Sequence, residues 1–134
     1  MAFWLVKSDP DSYGWDSMLN DKKTDWDGVR NYQARNNLKL MKKGDTVLFY
    51  HSVKDKFING VTEVSKEFYQ DPTTDDERWV AVELKAVKSL VNPVSLELIK
   101  NTKSLENIAL IKQSRLSVMP VTKKEFNTII KLAE

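Results

Sequence analysis

Residues 80–87 place the tightest limit on what this chain can become. Val80, Val82, Leu84 and Ala86 alternate with Ala81, Glu83, Lys85 and Val87. A period of two sends successive side chains to opposite faces of a sheet, so this is a half-buried strand, the clearest in the sequence. Residues 3–7, 46–52, 58–64 and 116–120 read as further strands, with Gly60 marking a bulge. Within 46–52, Val47, Phe49 and His51 share one face, and Leu48, Tyr50 and Ser52 the other.

Helical spacing interrupts these strands. Pro10 and Gly14 break the chain after the first strand. Trp15, Met18 and Leu19, at i, i+3 and i+4, then predict a short helix that buries all three. A second helix starts near Arg30 or Asn31, with Ala34, Leu38 and Met41 as its buried stripe, and Gly44-Asp45 turns it into a strand. Ser95, just after Pro93, suits a helix N-cap. At the end, Thr122-Lys123-Lys124-Glu125 is a capping box, and Phe126, Ile129, Ile130 and Ala133 form one apolar face. Strands interrupted by helices without regular βαβ alternation predict an α+β fold. Its sheet is mostly antiparallel or a small barrel, with the C-terminal amphipathic helix docked on the domain.

The 134 residues, 41% of them hydrophobic, suit one compact domain over 1–134. No repeat or linker divides them. The polar run Asp71-Pro72-Thr73-Thr74-Asp75-Asp76-Glu77 reads as a surface loop.

Composition also narrows function. Cysteine is absent, which excludes disulfides, a thiol nucleophile and thiolate metal sites. His51 is the only histidine, and no carboxylate spacing around it suggests a metal site or a bound cofactor. No apolar run approaches the ~20 residues a membrane span needs. The apolar N-terminus is too short for a signal peptide, so an intracellular, cytoplasmic protein is expected.

The net charge of +2 does not choose a partner, but its distribution is uneven. Residues 28–56 hold seven Lys/Arg against two acids, and residues 99–134 hold seven against three. That asymmetry permits a basic face for phosphates; lysines scattered over a solvated surface would give the same counts.

Residues 26–37 are the unusual stretch. They gather Trp26, Tyr32, Arg30, Arg35, Asn31, Gln33, Asn36 and Asn37 around a turn at Gly28. Gly28 allows a tight backbone before a helix whose free N–H groups favour an anion. Arg and Asn present hydrogen-bonding forks, and Trp26 and Tyr32 offer flat stacking surfaces. The same residues also fit a plainer reading, with Trp26 in the core and the polar groups on a solvated helix face.

His51 and Ser52, adjacent on a strand, face opposite ways and cannot form a nucleophile–base dyad with each other. Ser52 and Tyr50 fit a pocket wall better than an active site. Asp75 and Asp76 read as solvated, because a general acid needs a desolvated setting. No phosphate-binding loop, dinucleotide fingerprint or zinc-protease motif is present.

Four blocks taken together resemble the EVE domain family, of the PUA-like superfamily, along essentially the whole chain. They are residues 3–10 (FWLVKSDP), 26–36 (WDGVRNYQARN), 47–52 (VLFYHS) and 113–121 (QSRLSVMPV); 71–73 and 79–82 resemble further blocks. The resemblance implies a PUA-like fold, a mixed, mostly antiparallel, β-barrel-like sheet surrounded by short helices, and a non-catalytic module that captures one modified nucleobase of DNA or RNA in a pocket. A chain that is nearly all domain resembles bacterial stand-alone members. In that reading Trp26 and Tyr32 stack on the base or cap its modified group. Asn31 and Ser52 read polar edges, with Ser8, Tyr50 and Ser117 as walls. Arg30, Arg35 and Arg115 meet flanking phosphates, so binding weakens with salt. Two alternatives stay open. One is a small hydrolase of N-acylated nucleosides, as ASCH relatives suggest, using Lys7 and a nearby acid. The other is a protein-interaction module with a vestigial pocket.

Overall fold

The computed structural model describes residues 1–134. In chain order the elements are β1 (Phe3–Ser8), α1 (Trp15–Asp21), β2 (Lys23–Trp26), α2 (Tyr32–Leu40), β3 (Thr46–His51), β4 (Phe57–Gln70) and β5 (Val80–Ser95). They continue with α3 (Leu96–Lys100), a 3-10 turn (Lys103–Leu105), α4 (Ala109–Lys112), β6 (Val118–Val121) and α5 (Lys123–Leu132). The strands form one six-stranded sheet in the order β2-β5-β4-β3-β1-β6. Only β1 and β3 pair in parallel; the other neighbours are antiparallel. The α+β class and the mostly antiparallel sheet are as expected.

Local signals account for many of these elements. Val82 and Leu84 of the alternating segment are fully buried. Ala34, Leu38 and Met41 are all fully buried beneath α2. Thr122 and Glu125 make both bonds of the capping box, and the Ser95 hydroxyl accepts the Leu98 N–H. The β3–β4 register shifts beside Gly60, where Phe49 pairs with Gly60 and Tyr50 with Ile58, so the bulge is present. Gly60 is also needed for space: a Cβ there would lie 2.0 Å from the Trp15 ring.

Two expectations change. Leu19 is 41% exposed, because α1 packs only through Trp15 and Met18. The run 71–77 is not all surface, since Asp71 is fully buried.

One cluster of 32 buried side chains spans both ends of the chain, from Trp4 to Ala133. Phe49 is an aromatic hub within it. Its ring centroid lies 5.1 Å from Trp15, 5.5 Å from Trp26, 6.4 Å from Tyr13 and 5.8 Å from His51. Tyr50, the next residue on β3, points to the opposite side. The strand thus carries two separate environments on its two faces.

Candidate functional site

β2 and β6 are the two edges of the sheet and do not pair with each other. They nevertheless flank one cavity of about 390 Å³. Its lining comes from the end of β1 (Lys7, Ser8, Asp9), Tyr13, β2 (Thr24, Asp25, Trp26), the turn from Asp27 to Arg30, and Ser117 ahead of β6. The Lys7 N–H donates to the Ser117 carbonyl, which fixes one wall. The Ser8 hydroxyl donates to the Tyr13 carbonyl across another.

Trp26 is the largest apolar surface of this lining and is only 8% exposed. Its ring meets those of Phe49 and Tyr13 edge to face, at interplanar angles of 82° and 78°. Edge-to-face packing matches the positive ring edge to a negative face and holds the indole in one orientation.

The turn that follows is anchored from below. Gly28 adopts φ +74°, a left-handed conformation that disfavours residues with a Cβ. Its N–H donates to Asp71 Oδ2 at 2.8 Å, and Arg30 Nη1 donates to the same oxygen at 2.9 Å. The Thr73 N–H and hydroxyl satisfy Oδ1 at 2.7 and 2.6 Å. Burial alone would raise the Asp71 pKa. The Thr73, Arg30 and Gly28 donors outweigh it and hold the carboxyl down at about 2. A four-donor buried carboxylate therefore shapes the pocket turn, and Arg30 is neutralised by it.

The cavity itself is acidic. Asp9, Asp25 and Asp27 line it, against Lys7 and the paired Arg30. Burial raises the Asp27 pKa; the negative charges of Asp71 and Asp25 add to that, while Arg30 opposes it. Tyr69 donates its hydroxyl to Asp25 from outside, orienting that carboxylate. Burial, with this bond next, pushes the Tyr69 pKa well up, so the phenol stays a donor.

The residues singled out in the sequence separate into three places. Ser8, Trp26, Arg30 and Ser117 meet at this cavity. Tyr50 and Ser52 line a neighbouring cleft with Arg115, which shares the Lys7–Ser117 wall. The strand alternation that puts Tyr50 and Ser52 on one face puts both across β3 from the Phe49–Trp26 side. Asn31, Tyr32 and Arg35 lie elsewhere. Asn31 Oδ1 accepts the Ala34 N–H at 2.9 Å and caps α2, and the residue faces a groove with Gln33 and Gln113. Tyr32 stacks on Trp79 at 5.2 Å, the Arg35 guanidinium lies 5.0 Å from the Tyr32 ring centroid, and Arg30 lies over Trp79. This surface ladder of rings and guanidinium groups adjoins the pocket only through Arg30.

Asp25, Tyr13 and Asp71 were not singled out in the sequence. Asp25 and Tyr13 sit on an edge strand and a loop with no periodicity to flag them. The Asp71-Pro72-Thr73 block carried a family signal, but Gly28 and Arg30, which tie it to the pocket turn, lie more than forty positions away. Elsewhere, His51 Nε2 accepts the Trp15 N–H at 2.9 Å at the start of α1. Burial lowers its pKa against the pull of Asp55 and Asp16, which suits a neutral acceptor. Lys7 Nζ donates to the Ser114 carbonyl at 2.7 Å and lies within 4.0 Å of no carboxylate. No helix is long and apolar enough to cross a membrane.

The comparisons with known proteins agree with one another. A family model described as "EVE domain" matches residues 2–132. Mouse thymocyte nuclear protein 1 is 35% identical, over 98% of this chain and 74% of that protein. A crystal structure from Agrobacterium tumefaciens superposes with a TM-score of 0.96 at 38% identity, covering 99% of this chain and 93% of that one. The human THYN1 protein, solved in complex with DNA containing 5-methylcytosine, gives a TM-score of 0.91 at 30% identity and covers 100% and 98% of the two chains. A YTH domain of Zygosaccharomyces rouxii, solved with N6-methyladenosine RNA, shares the fold at a TM-score of 0.62 and 14% identity, over 99% and 86% of the two chains.

Proposed function

Because the chain belongs to the EVE domain family, we propose that residues 1–134 form one reader unit that takes a single modified nucleobase of DNA or RNA into the Trp26 cavity. The observation that carries this reading is the cavity between the two sheet edges. It combines an orientated indole with carboxylates and hydroxyls, and its volume falls in the range of small-molecule sites, about 300–1,000 Å³. The relative solved with 5-methylcytosine DNA supports the ligand class.

The chemistry follows from the lining. Trp26 supplies the stacking surface, worth about 1–3 kcal/mol per base. Asp25 and Asp27 accept from an exocyclic amino group, the pairing that carboxylates make with cytosine N4. Ser8 and Ser117 close the sides. One nucleotide must leave its stack to enter, at a few kcal/mol, less from single strands.

The unit acts by binding, without chemistry on the base. Lys7 Nζ is engaged by the Ser114 carbonyl and forms no ion pair with the aspartates of the cavity, and His51 is committed to α1. A nucleic-acid partner supports a location inside the cell, and the cytoplasm is the compartment proposed.

The test is a panel of oligonucleotides that differ only in one base: unmodified, 5-methylcytosine and N6-methyladenine, single-stranded and duplex. One modification is expected to bind at least tenfold more tightly than its unmodified counterpart. Equal, weak binding to all members would refute the reader.

A further inference from the structure

Across the Lys7–Ser117 wall lies the second cleft, about 430 Å³. Its charge is the reverse of the first. Lys7, Lys56 and Arg115 line it and no carboxylate does. None of the three takes part in an ion pair. Lys7 is half-buried and lies beside Tyr50 in the parallel β1–β3 register. Its ammonium gives one hydrogen bond to the Ser114 carbonyl. Burial lowers the Lys7 pKa and the nearby Lys56 charge lowers it further. Positive charges gathered in a cleft without a counter-charge raise the energy of the unliganded chain. An anion would relieve that repulsion and accept from the remaining N–H groups. Ser52 and Ser117 add hydroxyl donors around the same space.

The geometry points to this second cleft as a phosphodiester subsite, in which Lys7, Lys56 and Arg115 hold the phosphate adjoining the nucleotide whose base occupies the Trp26 cavity. The inference rests on the base-capture reading for its choice of strand phosphate over free phosphate. Lys7 and Ser117 belong to both cavities, so base and phosphate of one nucleotide span a single wall. Opposite charge on its two sides sets the polarity of entry: the anionic backbone is repelled by Asp9, Asp25 and Asp27 and drawn to the cations.

The exposed pair Lys56 and Arg115 can be changed without touching the core. The double variant Lys56→Gln/Arg115→Gln is compared with the unaltered chain for the preferred oligonucleotide and for the corresponding modified nucleoside, which lacks phosphate. Oligonucleotide affinity should fall roughly tenfold at low ionic strength, and the slope of log K against log salt should shrink by about 0.7 for a single strand, the share of one phosphate. Nucleoside affinity should be unchanged. An unchanged salt slope, or equal loss for nucleoside and oligonucleotide, overturns the proposal.

Amide chemical shifts under titration with inorganic phosphate supply a second arm that does not depend on base capture. Shifts are expected at Tyr50, Ser52 and Lys56 and not at Trp26. No shift in the cleft overturns the subsite outright. Shifts there with an unchanged oligonucleotide salt slope overturn the strand assignment in favour of free phosphate. A chain that binds no modified base but shows the phosphate shifts refutes base capture and leaves the anion site standing.

Discussion

The two cavities on either side of the Lys7–Ser117 wall share those two residues and differ in almost every chemical respect. One is floored by a buried indole and lined by three aspartates; the other is lined by three unpaired cations and three serine hydroxyls. Their supports differ too. The acidic side rests on fixed parts: Phe49, the edge-to-face Trp26 and the four-donor Asp71. The basic side presents long side chains with few bonds. A pocket that must discriminate needs preorganised walls, because a misplaced group loses its contribution. A subsite that holds any phosphate tolerates mobile cations.

Removing the floor should separate the two sides most sharply. Trp26→Ala is expected to lower stability by about 3–5 kcal/mol, as large-to-small core changes do, and to abolish preference for the modified base. Thermal denaturation and the oligonucleotide panel measure the two effects. Trp26→Phe retains ring packing and should lose preference with a smaller stability change. Full preference in both variants would mean that the floor is not the reading surface.

Acid titration probes the support beneath that floor. The folded Asp71 pKa of about 2 lies below its ordinary value, so its stabilisation is complete above about pH 4. It is lost as the pH falls through about 2, amounting to roughly 2 kcal/mol. Asp71→Asn should remove this part of the acid sensitivity in pH-dependent denaturation. An unaltered acid profile would mean that another carboxylate dominates.

Asp27→Asn tests the acidic side without disturbing its frame. It should reduce discrimination for an amino-bearing base by about 1–3 kcal/mol and leave the salt slope unchanged, the reverse of the Lys56/Arg115 outcome. A change confined to the salt slope would erase the distinction between the cavities. The smallest effect belongs to Tyr32→Ala. Losing the Trp79 stack should cost about 0.5–1.5 kcal/mol of stability, with base preference unchanged.

What could be read in the sequence was what neighbours in the chain decide. Thr122 and Glu125 bond within one helical turn, the α2 stripe follows from spacing, and the Gly60 bulge from the one residue that lets Trp15 close in. β2 escaped notice because it is an edge strand with one buried residue, Trp26, among polar neighbours. Asp71 sits in a run whose composition is that of a loop, and its burial depends on Gly28 and Arg30 far away in the chain. The residues singled out in the sequence lie in three places that their spacing does not distinguish. Strand alternation separates Tyr50 and Ser52 from Phe49, but it cannot say which face Trp26 will join. Tyr32, two positions after Arg30 of the pocket turn, stacks instead on Trp79, a partner 47 positions on.

Pairing of β1 with β6 joins Phe3 to Val121, so one edge of the earliest strand stays unpaired until the last arrives. Ser117, which both cavities require, lies on that late segment. Contacts of such long sequence separation form slowly, because a large loop must close before they contribute. During synthesis the chain therefore has no recognition site until almost all of it has left the ribosome. On the proposed reading, a nascent or C-terminally clipped copy without the Ser117 wall is expected not to compete with the finished protein for modified bases.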